Sequence, residues 1–220
     1  YTTLFRSWTE FGIDYAMPNP TDKQKDYGGL YDADNGVMLT GEISQDMFGG
    51  YNKLVLQYAN KGLAQNMVSQ GGGWYDMWNY VNDATGYRVI NTGLIPITDK
   101  FSLNHVLTYG SADNTTEYTD KSRLVSLVGR AQYQFTEYVR LIGEVGGFYQ
   151  KDSYTNGSHY KQSGEKYTIA LGLADGPDFM SRPELRVFAS YLNDSEQGNA
   201  FNDGTASDTW NFGVQVEAWW

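Results

Sequence analysis

Charged, amide and aromatic side chains occupy alternate positions near the carboxyl end of this sequence, a spacing that could bind a polyhydroxyl ligand. In residues 210–220 one set of alternate positions is apolar, and the other carries Gln215, Glu217 and Trp219. Alternate positions point to the same side of a β-strand. A flat ring covers the apolar face of a sugar, while carboxylate, guanidinium and amide groups bind its hydroxyls. The spacing therefore predicts a strand with one sugar-binding face.

The residue types give little support for metal binding or catalysis. His105 and His159 are far apart and lack metal-ligand spacing. We find no nucleophile elbow, no phosphate-binding loop and no clear pair of carboxylates. The aspartates of residues 21–35 could hold Ca²⁺, but their spacing is not that of an EF-hand, which favours a solvated acidic loop. We therefore predict no enzyme activity, no cofactor and no metal.

The composition narrows the class of protein further. The net charge of −10 argues against a nucleic-acid partner, and cysteine is absent. No apolar run approaches the roughly 20 residues of a membrane helix. A mean hydropathy of −0.52 fits a soluble protein, but it equally fits a membrane barrel, because half of each barrel strand is polar. No signal peptide is visible, so we expect a mature or truncated chain.

Segments of alternating hydrophobicity recur along the whole chain and predict an all-β fold. The predicted strands cover residues 11–15, 37–47, 51–60, 86–97, 101–109, 123–135, 138–149, 166–173, 183–192 and 210–220. Many are long, end in aromatic residues, and alternate between short turns and longer loops. This combination indicates one domain, residues 1–220, that is an antiparallel transmembrane β-barrel with about ten strands present. The alternative is a soluble sandwich or barrel with the apolar face inside.

If the apolar face meets lipid, the opposite face lines a water-filled lumen. By parity this face carries Tyr51, Lys53, Val55, Gln57, Arg88, Arg130, Gln132, Arg140, Glu144, Gln215, Glu217 and Trp219, together with Met180, Arg182, Glu184 and Arg186 on the ninth strand. We expect the arginine, lysine, glutamate and glutamine members to be wetted. Any one of them could instead form an ordinary ion pair that stiffens the wall. The aromatics Tyr51 and Trp219 could bind sugar or pack beneath a loop that folds inward.

Four stretches carry a resemblance to a known family. They are SWTEFGIDY at 7–15, GGYNKLVLQYA at 49–59, SRPELRVFA at 181–189 and the ending at 210–220. In this order they resemble the maltoporins, trimeric 18-stranded maltodextrin channels of Gram-negative outer membranes. The resemblance covers only the carboxyl-terminal half of the family, about ten of its eighteen strands. The chain is therefore expected to be a fragment or a shortened form, and an even number of ten strands could close by itself.

The resemblance implies that maltodextrins or related oligosaccharides pass along a row of lumen aromatics. Tyr51 and Trp219 fall on two positions of that row, whereas Met180 stands where the family has a tryptophan, so stacking there would weaken. Arg88 and Arg130 also align, and Arg182, Arg186 and Glu217 would complete a polar track. The family further implies outer-membrane lipid and a homotrimer as partners, and phage as another. A surface receptor or a pore without sugar preference remains the alternative.

Overall fold

The computed structural model describes residues 6–27, 30–69, 74–196, 200–201 and 204–218. They form one antiparallel sheet in which ten strands are paired in chain order. The strands are β1 (Ser7–Ala16), β2 (Gly36–Met47), β3 (Gly50–Asn60), β4 (Thr85–Thr98), β5 (Phe101–Thr116), β6 (Thr119–Gln134), β7 (Val139–Tyr154), β8 (His159–Ala174), β9 (Glu184–Asp194) and β10 (Asp208–Glu217). All ten predicted strands are therefore confirmed.

The helices of the described residues are short. An α-helix, α1, spans Asp22–Lys25 within the acidic loop, and Thr21 and Gln24 cap its first turn reciprocally. Two 3-10 helices, Lys61–Met67 and Asn79–Asp83, lie in the loop between β3 and β4. None of these helices has the length or the apolar character that crossing a bilayer requires.

The strands β5 to β8 extend further than the sequence pattern predicts. Each has 16 residues, and the additions lie at the end opposite the short turns, for example Gly110–Thr116 of β5. Polar side chains stand on both faces of these extensions, as in QKDSY at the end of β7 and HYKQS at the start of β8. The period-two signal disappears where both faces are wet, although the backbone ladder continues.

The exposure of the side chains decides which face of the sheet is apolar. On one face Leu56 is 53%, Leu171 50% and Val214 66% exposed, whereas Ser44 and Ser190 on the other face are 0% and 1% exposed. A soluble sandwich would bury the leucines and valines, so that alternative is wrong. The apolar face points outward, as a wall in lipid requires.

Aromatic rings mark both ends of this outward face. At the loop end Tyr191 lies between Tyr167 and Trp210, with ring centroids 6.4 and 5.3 Å away. At the turn end Tyr133 and Phe135 are 5.3 Å apart. Such rows are typical of the interfacial girdles of membrane barrels.

The turns β2–β3, β4–β5, β6–β7 and β8–β9 lie at one end of the sheet. The tightest is at Phe48 and Gly49, whose φ angles of 53° and 76° are those of a type I′ hairpin turn. Within the described residues β1 pairs only with β2 and β10 only with β9. The ten strands therefore do not close on themselves and form part of a barrel wall.

The described parts of the loop 61–84, residues 61–69 and 74–84, pack against the inner face near the end opposite the short turns. Leu63 and Met67 from its first 3-10 helix are buried against Ala59 of β3. Arg88 of β4 fastens the same segment, because its guanidinium donates to the carbonyl oxygen of Asn66 at 2.9 Å. The apolar core of the described chain thus lies between a loop and the polar face of the sheet.

The second part of this loop, residues 74–84, contains a hydrogen bond between Tyr80 and Asp76. The Tyr80 hydroxyl donates to Asp76 Oδ2 at 3.1 Å. Burial, followed by the negative charge of Asp76, raises the pKa of Tyr80 to about 12. The hydroxyl therefore stays protonated and keeps donating across the neutral pH range.

Gly110 of β5 is the position where this packing tolerates no side chain. A Cβ there would lie 1.9 Å from the carbonyl oxygen of Met67, so backbone would have to move. We expect Gly110→Ala to displace the loop at a cost of about 1–3 kcal/mol, seen as faster chymotrypsin cleavage within residues 61–84. The matched control is Gly143→Ala on the outward face, where a Cβ meets nothing within 4 Å. Equal cleavage of both variants would show that the loop is not held by this contact.

Candidate binding site on the inner face

Cross-strand polar pairs line the inner face. Register places Gln57 beside Arg88 and Arg130 beside Glu144. Arg88 Nε donates to Gln57 Oε1 at 2.8 Å, and Arg130 Nη2 lies 2.7 Å from Glu144 Oε2. The Arg130 side chain keeps 27% of its surface exposed. This part of the wall can therefore offer charged groups to a ligand.

A buried cluster of charge lies at the turn end of the same face, with Glu184 at its centre. Its carboxylate is 3.2 Å from Arg140 Nη1 and 3.5 Å from Arg182 Nη1, and Arg186 Nε contacts it too. Glu184 and Arg140 are each 1% exposed. An isolated carboxylate would lose much free energy of hydration on burial. The three guanidiniums around Glu184 offset this desolvation cost.

Glu217 of β10 connects this cluster to the open face. Its Oε2 accepts from Arg182 Nη2 at 3.0 Å and from Arg186 Nη2 at 2.6 Å, while 34% of its side chain remains exposed. Charge-assisted bonds of this length fix the carboxylate in one orientation. Glu217 therefore presents an oriented acceptor next to a rigid arginine pair.

The cluster also holds the turn 175–183 in place. Arg140 Nη2 donates to the carbonyl oxygen of Gly176 at 2.9 Å, and Arg140 Nη1 donates to that of Phe179 at 3.3 Å. Arg182 Nη1 donates to the same Phe179 oxygen at 3.3 Å. Met180 follows directly and is 50% exposed. The flexible apolar side chain of Met180 thus lies on a turn whose backbone is fixed by hydrogen bonds from Arg140 and Arg182.

The structure corrects two expectations about these residues. Met180 and Arg182 were predicted on the ninth strand, but β9 begins at Glu184, so both lie in the turn before it. The expectation of wetted side chains is wrong for Arg140, Glu184 and Arg186, which are 1%, 1% and 7% exposed. They are buried because this turn is longer than the others at the same end and folds over them. The expectation is also wrong for Gln132, which is 5% exposed, and for Arg182, whose side chain is 5% exposed.

The remaining predicted residues lie in different parts of the inner face. Tyr51 is half-buried near the turn end of β3, opposite Leu94. Arg88 lies at the other end, where it also binds the loop. Trp219 lies outside the described residues. The inner face brings Arg182, Arg186 and Glu217 together. Arg130 borders a small cavity that Arg186 also lines, whereas Arg88 and Tyr51 stand apart.

Sequence reasoning did not assign a role to Arg140, Glu184 or Phe148. The first two appear on the inner face by parity alone, but no local signal says that a turn covers them. Phe148 has inner parity on β7 and could have been found by extending the alternation through that strand.

Comparison with known proteins settles the family. A model of the LamB porin family matches residues 2–220. The chain belongs to the LamB porin family. It is 86% identical over 214 residues, 97% of the chain, to Maltoporin 1 of Klebsiella pneumoniae, and 84% identical over the same share to Maltoporin 2 of Yersinia pestis. Maltoporin 1 of Aeromonas salmonicida is 57% identical over 216 residues.

The match confirms the resemblance to maltoporins. It also helps to explain why the edge strands β1 and β10 have no further partner in the described sheet. The chain of this LamB porin spans about half the length of the relatives it matches, 51% for the Klebsiella protein and 50% for the Aeromonas protein. Open strand edges cannot face lipid, since their backbone groups would remain unpaired. In a complete barrel, β1 and β10 must therefore pair with further strands.

Proposed function

We propose that this chain forms part of a sugar-conducting porin in the outer membrane of a Gram-negative bacterium, through which maltose and maltodextrins diffuse passively. One observation carries the proposal: the sheet turns its leucine, valine and aromatic side chains outward and collects its charged and amide side chains on the inner face. Such a wall encloses water, and the identity to proteins called maltoporins supports maltodextrin as the solute. The protein performs no catalytic step.

The inner face supplies two kinds of contact for a sugar chain. Tyr51, Met180 and Trp219 form the apolar path, on which the flat faces of glucose units rest. Arg88, Arg130, Arg182, Arg186 and Glu217 form the polar track beside it. Glu217 and Arg130 are exposed enough to reach hydroxyls directly, whereas Arg182 and Arg186 act chiefly by orienting Glu217. Several weak contacts in sequence let a sugar enter and leave readily.

The partners follow from the same proposal. Outer-membrane lipid covers the outward face, and the porin assembles as a homotrimer, as in the family it belongs to. Phage binds the loops at the end opposite the short turns.

Ion current through planar bilayers tests the proposal. The assembled porin is expected to conduct, and maltohexaose is expected to block the current in a saturable way, while a disaccharide with another linkage blocks less. A conducting channel that no sugar blocks would indicate a general diffusion pore. Absence of conductance would favour a surface receptor.

A further inference from the structure

A polar cavity of about 410 Å³ opens on the inner face at the loop end. It is bordered by Trp74 and Gln65 of the loop 61–84, by Phe148, Gln150 and Asp152 of β7, and by Gln162 of β8. Its size falls within the range of about 300–1,000 Å³ typical of small-molecule sites. None of these residues belongs to the predicted apolar path or polar track.

The Trp74 ring stands at this cavity on a backbone that is held rigidly. Asn66 is 5% exposed, and its side chain donates to the Trp74 carbonyl oxygen at 2.9 Å and accepts from the Trp74 amide at 3.2 Å. Arg88 in turn binds the Asn66 carbonyl oxygen at 2.9 Å. The tryptophan itself is 47% exposed. Because the buried side chain of Asn66 fixes the Trp74 backbone, the exposed indole ring is a preorganised surface on which the apolar face of a ligand can rest.

Hydrogen-bonding groups surround the same cavity. Gln150 Nε2 donates to Asp152 Oδ1 at 3.3 Å, and Gln162 Nε2 donates to the Tyr160 hydroxyl at 3.1 Å. These bonds orient the two amides, and each amide or carboxylate oxygen has more than one lone pair to offer. Neutral hydroxyls fit such a set, whereas an anionic ligand would find no cationic side chain among the described residues of the cavity wall and would be repelled by Asp152.

The cavity continues toward the turn end. A second cavity of about 610 Å³ shares Phe148 and Gln162 with the first and reaches Glu144 and Lys166. A third, of about 90 Å³, shares Glu144 and Lys166 and reaches Arg186 and Gln215. The three cavities therefore adjoin one another along the inner wall of β6 to β10, from Trp74 to Arg186 of the arginine cluster, and outline a groove.

We propose that Trp74, Phe148, Gln150, Asp152 and Gln162 form a capture site for neutral oligosaccharides at the loop end, from which the chain slides into this groove. A glucose unit lies on the Trp74 ring while its hydroxyls bond to Gln150, Asp152 and Gln162. The site deepens the proposed function and rests on it. Its effect is on entry from the loop side, because sugar arriving from the turn side meets it last.

Current-block kinetics with maltohexaose test this site. In Trp74→Leu, which keeps apolar bulk but loses the flat ring, we expect the entry rate from the loop side to fall about two- to tenfold, with entry from the turn side unchanged. Asp152→Asn keeps the shape of the side chain and should lower the same rate to a smaller extent. Tyr118→Ala removes an exposed ring at the same end that does not border the cavity, and should change neither rate.

The outcomes separate this proposal from the one it rests on. If maltohexaose fails to block the unmodified porin, the proposed function itself is wrong. If it blocks the unmodified porin while both Trp74→Leu and Asp152→Asn keep its entry rates, the capture site is wrong. A fall of equal size from both sides would also overturn it, since the change would then act on the channel as a whole.

Discussion

Replacing Glu184 with glutamine is expected to lower the free energy of unfolding of the assembled porin by about 3–5 kcal/mol. The carboxylate is 1% exposed and lies among the guanidiniums of Arg140, Arg182 and Arg186. An amide of the same shape removes the central negative charge from among these cations, and leaves Glu217 and Asp178 as acidic groups farther out. Urea or guanidinium unfolding in detergent, followed by tryptophan fluorescence, measures the loss.

Glu137→Gln is the matched control for this prediction. Glu137 lies in the β6–β7 turn at the same end of the sheet, but it is exposed. Exposed substitutions usually change stability by no more than about 0.5 kcal/mol. If Glu184→Gln unfolds at the same denaturant concentration as Glu137→Gln, the cluster does not stabilise the wall and the turn 175–183 must be held by other contacts.

Replacing Tyr51 with alanine is expected to weaken maltodextrin binding by about 1–3 kcal/mol, the scale of burying an aromatic side chain. Tyr51 is half-buried on the inner face of β3, where its ring can meet the flat face of a glucose unit. Trp219→Ala should act in the same direction, and Met180→Trp in the opposite one, because it restores a flat ring on the fixed turn. Titration of the current block with maltohexaose gives the binding constant of each variant.

Tyr58→Ala provides the comparison on the same strand. Tyr58 lies on the outward face and is 44% exposed, so its loss should alter the contact with lipid but leave sugar binding unchanged. Equal weakening by Tyr51→Ala and Tyr58→Ala would mean that both substitutions perturb β3 as a whole, and that the weakening is not due to loss of a sugar contact on the inner face. No weakening in either Tyr51→Ala or Trp219→Ala would contradict the apolar path.

The strands could be predicted from sequence because the alternation of apolar and polar residues is visible within each strand alone. Leu54, Leu56 and Tyr58 alternate with Lys53, Val55 and Gln57, and this period of two fixes both the strand and the side to which each residue points. Antiparallel order follows, because short turns join successive strands. The pattern could not show whether ten strands close, since closure depends on which edges meet and not on any local period.

The finer features of the site depend on contacts between segments distant in sequence. Arg140 and Glu184 are separated by a whole hairpin, and only the folded turn between them shows that both are buried. Likewise, Asn66 positions Trp74 through a loop that packs on Gly110 of β5. Local patterns assign a face to a residue, but they do not say what covers that face.

The central claim is that the charged face of the wall encloses water while the apolar face meets lipid. The chain has no cysteine, so single cysteines can be placed at Lys53 and Gln215 on the inner face and at Leu56 and Val214 on the outward face, each then labelled with a fluorophore. In reconstituted porin, aqueous iodide should quench the labels at 53 and 215, and nitroxide-bearing lipids should quench those at 56 and 214. The reverse pattern, with lipid reaching 53 and 215, would contradict the claim and remove the basis for a sugar path.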